Sequence, residues 1–179
     1  MNEHIMVNQR PFKPLISEER IQERIKVLGK QMTEQFKGKR PLMIGILNGA
    51  FVFFADLCRV CDFDCDIAFT RLSSYTGTQS SGEIKTILGL QESIKGRDII
   101  VVEDIVDTGE TLHHFIKTLQ AHEAASISLA VLLVKPDAMR YHFPIDYKAF
   151  EISNEFVIGY GLDYDGLGRN LNCIYQLDE

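Results

Sequence analysis

Residues 98–112 read D-I-I-V-V-E-D-I-V-D-T-G-E-T-L, four β-branched apolar residues running into an acidic cluster. Ile99 to Val102 have the composition of a central strand buried on both faces. Thr108, Gly109 and Thr111 then form a turn where the strand gives way to a helix. A glycine there lets backbone come close to a ligand or adopt positive φ. Exposed N–H groups and the helix dipole favour a phosphate, and the threonine hydroxyls add donors. Glu103, Asp104, Asp107 and Glu110 place carboxylates beside this anion cradle, where like charges repel. Acids in this setting can accept hydrogen bonds from sugar hydroxyls, bind Mg²⁺ or act as a general base. A phosphorylated sugar would use all three, its phosphate on the turn and its hydroxyls facing Glu103 and Asp104.

The chain around this stretch alternates strand and helix. Ser17 is placed to cap a helix whose stripe is Ile21, Ile25, Leu28 and Met32, with Gly38 as its stop. PLMIGIL (41–47) reads as a buried strand, AFVFFADLCRV (50–60) as a helix and CDIAFTRL (65–72) as a strand. A polar loop over 73–83, a strand over 84–90, a helix over 110–122 and a strand over 126–134 follow. The last 40 residues read as short strands and turns. The expected fold is α/β: a mostly parallel sheet flanked by helices, whose ligands bind beyond the carboxyl ends of the strands. The organisation expected is a single domain over 1–179. Its core covers about 15–140, and a small C-terminal lobe from about 141–179 is joined by the N-terminal segment.

With 179 residues, 45% hydrophobic and 25% charged, the chain can bury a real core. A net charge of −6 lacks the basic footprint of a nucleic-acid binder, so no nucleic-acid partner is expected. No apolar run has the length of a signal or a membrane span, so a soluble, cytoplasmic protein without a membrane partner is expected. Cys58, Cys61 and Cys65 raise zinc or iron–sulfur binding, but the fourth ligand would have to be distant Cys173; buried thiols beside an apolar helix fit better.

V-V-E-D-I-V-D-T-G-E-T-L (101–112) resembles the phosphoribosyl-pyrophosphate (PRPP) motif of the type I phosphoribosyltransferases, and within them the hypoxanthine-guanine phosphoribosyltransferases. The resemblance continues in order through L-N-G (47–49), S-S-Y (73–75), L-L-V-K-P (132–136), E-F-V-I-G-Y-G-L-D-Y (155–164) and Arg169. It implies the type I fold with a hood lobe, and transfer of phosphoribose from PRPP to a 6-oxopurine, hypoxanthine and also guanine. Purine salvage yielding IMP or GMP and pyrophosphate follows from that activity. It also implies Mg²⁺ as cofactor and a homo-oligomer, dimer or tetramer.

The same resemblance assigns roles. Glu103 and Asp104 face the ribose hydroxyls and the Mg²⁺ shell. Asp107, Thr108, Gly109, Glu110 and Thr111 form the 5′-phosphate loop, and Asp107 is the catalytic group beside purine N7. Ile105, Lys135, Phe156, Val157 and Asp163 serve the purine, Lys135 as donor to O6, Phe156 by stacking and Val157 through its backbone. Asp163 also serves a Mg²⁺ bound with pyrophosphate. Asn48, Gly49 and Arg169 hold pyrophosphate, in a loop whose peptide is often a non-proline cis bond. Ser74 and Tyr75 belong to a loop that closes over the reaction.

Two residues depart from the family pattern. Asn48 stands where relatives often carry Lys or Arg, and Glu110 is acidic inside the phosphate loop. A nucleotide-sensing, RNA-binding regulator on the same fold is the alternative, and it would want a basic face. An aspartic protease would need two D-T-G motifs in an all-β setting, whereas this one opens a helix. No G-x-x-x-x-G-K-[ST] occurs.

Overall fold

The computed structural model describes residues 4–72 and 93–178. Its elements are β1 (Ile5–Val7), β2 (Arg10–Ile16), α1 (Glu18–Phe36), β3 (Leu42–Leu47), α2 (Phe51–Val60) and β4 (Asp66–Arg71). After these come β5 (Asp98–Val106), α3 (Glu110–Ala121), β6 (Ser126–Val134), β7 (Tyr147–Glu151), β8 (Val157–Ile158) and β9 (Ile174–Leu177). The expected strand over 84–90, and with it Ser74 and Tyr75, lies outside the described residues.

Five strands form a parallel sheet in the order β4-β3-β5-β6-β7. Side-chain alternation explains its two covered faces. Met43, Ile100, Val102, Ala130 and Leu132 meet Ile21, Ile25 and Leu28 of α1 and Phe53, Phe54 and Leu57 of α2. Ile44, Ile99, Val101, Leu129 and Val131 meet Leu112, Phe115 and Leu119 of α3. Ser17 caps α1, its Oγ accepting from Arg20 N–H at 3.4 Å. Gly38 follows the helix at φ +73°, which ends it in a left-handed turn.

The order of winding positions the site. From β3 the chain goes one way to β4, then returns to place β5 on the other side of β3. Such a reversal opens a crevice at the carboxyl ends of the two central strands. Here the β3–β5 ladder ends at Gly45–Val102, while β5 stays paired with β6 as far as Val106–Val134. The β3-facing edge of residues 103–106 is thereby released into the crevice.

A second, antiparallel sheet has the order β1-β2-β9-β8 and joins the N-terminal segment to the C-terminal strands. Its small core holds Phe12, Ile158, Cys173 and Tyr175. The expectation that the lobe starts near residue 141 meets a difference. Tyr147–Glu151 pairs in parallel with β6 and is the fifth strand of the main sheet. Buried Tyr147 and Ala149 pack into the α1 side of the core. The β6–β7 connection contains only a short 3₁₀ turn at Pro136–Ala138, so the sequence loses its strand–helix rhythm there although parallel pairing continues.

Candidate active site

The crevice is a cleft of about 380 Å³. Its walls are Ile46 to Gly49 at the end of β3, Glu103 to Leu112 from β5 into α3, Leu72 after β4, and Asp163 and Arg169 from the lobe. The acidic segment, Asn48, Gly49, Asp163 and Arg169 are thus brought together from four places in the chain. The Leu47–Asn48 peptide is cis. Lys135, Phe156 and Val157 are not among this cleft's walls. Lys135 reaches it indirectly, through Asp107.

The acids fall into two environments. β5 runs through Val106, farther than the apolar run at 99–102 suggests, so Glu103 and Asp104 belong to the strand and not to the turn. Glu103 Oε2 is buried with no hydrogen-bond partner among the described residues. Burial, and then the neighbouring Asp104 carboxylate, raise the Glu103 carboxyl well above its ordinary range. Burial also raises Asp104, partly offset by hydrogen bonds from Glu103 and from backbone and by the Arg169 guanidinium. Asp104 Oδ1 accepts from the Ile105 N–H at 2.9 Å. Beside Asp104 stands Gly49, where a Cβ would lie 1.5 Å from Asp104 Oδ2. Only glycine permits that approach.

Asp107 is half exposed, and its Oδ2 accepts from Lys135 Nζ at 3.2 Å. The Lys135 side chain is only 11% exposed, so this contact supplies the partner a buried ammonium needs. Parallel pairing explains the meeting: Val106 and Val134 stand in register, and each is followed by one member of the pair. Beyond Asp107 the chain turns at Gly109, φ +78°, into α3. Thr108 carbonyl accepts from the N–H groups of Arg140 and Tyr141 at 3.0 and 3.2 Å, tying this turn to the connection after β6. Glu110 is exposed at the helix start, where an acid is favoured.

From the lobe, Arg169 Nη2 pairs with Asp163 Oδ1 at 2.6 Å, and its Nη1 donates to Gly161 carbonyl at 2.8 Å. Asp163 Oδ2 accepts from the Gly166 N–H at 2.7 Å. The cleft lining therefore combines a guanidinium fixed by the lobe, the start of α3 and several carboxylates. Phe156 is 46% exposed and meets Tyr164 edge-on at 5.5 Å. Val157 is buried.

Glu103 and Asp104 are donors of the kind a hard divalent cation takes, although among the described residues no three acidic, His or Cys side chains gather into a ligand set. Their donor atoms are oxygens, one of them buried and unpartnered, and the two adjacent acids both resist ionisation without a positive neighbour. Sequence reasoning passed over Leu72, as well as Tyr160 and Asp56, which support the lobe from behind. An aromatic between two glycines was the only signal for Tyr160. The cysteines stand apart from the cleft walls. Cys58 and Cys65 Sγ are 4.0 Å apart, burial pushes the Cys61 thiol up to about 12, and Cys173 packs in the lobe.

Residues 17–165 match the family model of the phosphoribosyl transferase domain. The chain is 46% identical over 160 residues to a hypoxanthine-guanine phosphoribosyltransferase of Lactococcus lactis, covering 89% of this chain and 87% of the relative. It is 43% identical over 163 residues to that of Bacillus subtilis, covering 90% and 91%. A hypoxanthine phosphoribosyltransferase of Staphylococcus aureus superposes with a TM-score of 0.85 at 40% identity, covering 93% and 91% of the two chains. One from Trypanosoma cruzi, studied for the role of its C-terminal region in oligomeric state and activity, gives 0.87 at 38%, covering 99% and 95%. The chain therefore belongs to the hypoxanthine-guanine phosphoribosyltransferases of the phosphoribosyl transferase family.

Proposed function

We propose that the chain transfers phosphoribose from PRPP to hypoxanthine, and to guanine, releasing pyrophosphate and forming IMP or GMP for purine salvage. The observation that carries this reading is the Asp107–Lys135 contact at the mouth of the anion-binding turn. It sets a proton acceptor and a cationic donor side by side, which suits a base presenting a ring nitrogen beside a 6-oxo group.

In the reaction a bond forms between sugar C1 and the purine nitrogen while the C1–oxygen bond to pyrophosphate breaks. The transition state resembles an oxocarbenium ion, so catalysis rests on alignment, proton handling and leaving-group stabilisation. The N–H groups of 108–111 hold the 5′-phosphate. Glu103 and Asp104 accept from the ribose hydroxyls. Asp107 takes the purine proton through N7, Lys135 donates to O6, and Ile105, Phe156 and the Val157 backbone enclose the ring. Arg169, with Asn48 and Gly49, receives the pyrophosphate, and a guanidinium fork suits that task. Glu103, Asp104 and Asp163 would hold Mg²⁺, which when bound supplies charge neutralisation to the pyrophosphate.

Among the described residues no helix is long and apolar enough to cross a membrane. Together with the acidic balance of the chain, this supports small-molecule substrates in a cytoplasmic setting. A homo-oligomer is consistent with the interest in oligomeric state for the Trypanosoma cruzi relative. The test is to mix the protein with PRPP, Mg²⁺ and each of hypoxanthine, guanine and adenine, and to follow nucleotide formation by ultraviolet absorbance. Turnover of hypoxanthine, dependence on Mg²⁺ and no turnover of adenine are expected. Turnover of adenine alone overturns the 6-oxopurine assignment, and RNA binding without turnover points to the regulator.

A further inference from the structure

Gly159 and Leu162 exchange both backbone hydrogen bonds, at 3.0 and 3.1 Å, so Tyr160 and Gly161 are the two central residues of a tight turn. Both have positive φ, +49° and +103°. A two-residue turn of this kind normally carries Asn, Asp or Gly at its first centre. A bulky aromatic in the left-handed region is a true outlier, and it persists only where its surroundings over-determine it.

The surroundings of Tyr160 do so. Its side chain is buried. The phenol donates to Asp56 Oδ2 on α2, and Gln22 Nε2 on α1 donates to the same carboxylate oxygen at 2.7 Å and to the phenol oxygen at 3.3 Å. Burial, and then the bond to Asp56, push the phenol above its ordinary range, so it stays a donor at neutral pH. The next residue faces elsewhere. A Cβ at Gly161 would lie 2.0 Å from the Gly49 carbonyl, and the Gly161 carbonyl accepts from Arg169. One turn therefore joins three parts: the α1–α2 face behind the site, the loop after β3, and the guanidinium in front. Asp56 lies within α2 and Gly49 stands just before that helix begins, so the anchor and the loop it braces belong to one continuous piece of chain.

We propose that Tyr160 is a positioning residue for PRPP: its contact with Asp56 and Gln22 holds the Tyr160–Gly161 turn, which keeps Arg169 fixed beside Gly49 at the cleft wall. The inference rests on the reading of Arg169 as the pyrophosphate ligand. It assigns Tyr160 no contact with substrate. The effect passes through Arg169, so PRPP and pyrophosphate should feel it and the purine base should not.

The test is a double-mutant cycle on the full-length enzyme, reading KM for PRPP, KM for hypoxanthine and inhibition by pyrophosphate. Tyr160→Phe keeps the ring and removes one bond to a carboxylate. It should raise the PRPP KM about tenfold and weaken pyrophosphate inhibition in parallel, the scale of one such hydrogen bond. The hypoxanthine KM should stay within about twofold, a change worth less than half of that hydrogen bond. In an Arg169→Ala background the same substitution should move the PRPP KM by less than about twofold, because the two act in series. Asp56→Asn gives the same readout if Tyr160→Phe does not fold. A Tyr160→Phe enzyme with parental PRPP kinetics overturns the proposal while leaving Arg169 in its role. So does an effect that persists in full without Arg169, or a loss of thermal stability with no change in PRPP KM. An Arg169→Ala enzyme with parental PRPP kinetics instead overturns the reading of the pyrophosphate site.

Discussion

Asp104 and Asp107 stand three positions apart, yet Asp104 lies largely buried against Glu103 beneath Gly49, whereas Asp107 is half exposed and bonded to Lys135 Nζ at 3.2 Å. Glu103 and Asp104 sit on a strand edge from which β3 has diverged, with Arg169 the cation that favours ionised Asp104. Asp107 sits one residue past the strand, where parallel pairing with β6 delivers a lysine to it. The contrast resolves the conflict between acids and anion cradle. The first pair is an unfinished site, its carboxyls held above their ordinary range and Glu103 Oε2 without a hydrogen-bond partner among the described residues. The second is a finished ion pair between Asp107 and Lys135. The lesson is that sequence proximity within one motif does not mean one electrostatic task.

The sharpest way to break this contrast is to neutralise the finished site. Asp107→Asn keeps the shape of the side chain and loses the acceptor charge. The rate of nucleotide formation should fall by roughly 10²–10⁴-fold, the range for a general acid–base group. PRPP binding should change far less, because the phosphate is held by backbone. Pre-steady-state nucleotide formation with PRPP titrated separately checks both parts. A rate within about twofold of the parent lies far below that range and removes Asp107 from proton transfer.

A second substitution probes the unfinished site through its steric support. Gly49→Ala puts a methyl group where Asp104 Oδ2 now lies. Asp104 or the loop must move by about an ångström, which for a positioned group costs about 10²-fold in kcat/KM. The loss should appear in kcat/KM for PRPP, and Asp107 chemistry on bound substrates should survive. Equal losses on both sides would merge the two sites into one.

Much of this was legible before any coordinates. Alternation of strands and helices, the cap at Ser17 and the turn at Gly109 follow from local rules that the structure obeys. The resemblance named the acids, Lys135 and Arg169 by position. What it did not supply was environment. Composition placed the central strand at 99–102, because carboxylates do not look like strand residues, yet pairing with β6 carries β5 to Val106 and leaves both acids half-buried. Tyr147–Glu151 falls within the expected lobe from about 141, read from short strands and turns, yet it is an edge strand of the main sheet. Tyr160 stands inside the 155–164 motif, but nothing in that motif gives it a role. Its partners Gln22 and Asp56 lie over a hundred positions away, and only the folded chain brings them together.

The smallest expected effect is on stability, and it comes from Glu103. Its folded-state carboxyl titrates well above the ordinary value of 4.5, chiefly through burial and then through Asp104. Between those two values the folded chain keeps a proton that the unfolded chain has lost, so stability falls as pH rises through that window. At pH 4 and below both states are protonated and the penalty vanishes. Glu103→Gln removes the titration, so without ligands the variant and the parent should melt alike at pH 4. At pH 8 the variant should melt higher by about 2–4 °C, the shift for roughly 1 kcal/mol in a chain of this size. Adding PRPP with Mg²⁺ should reverse the order, because the parent then gains the cation its buried carboxyl lacks and the glutamine cannot use it. A parent and variant whose melting temperatures keep a constant difference from pH 4 to pH 8 would mean that Glu103 is already compensated. The distinction between an unfinished and a finished acid site would then fail at its buried end.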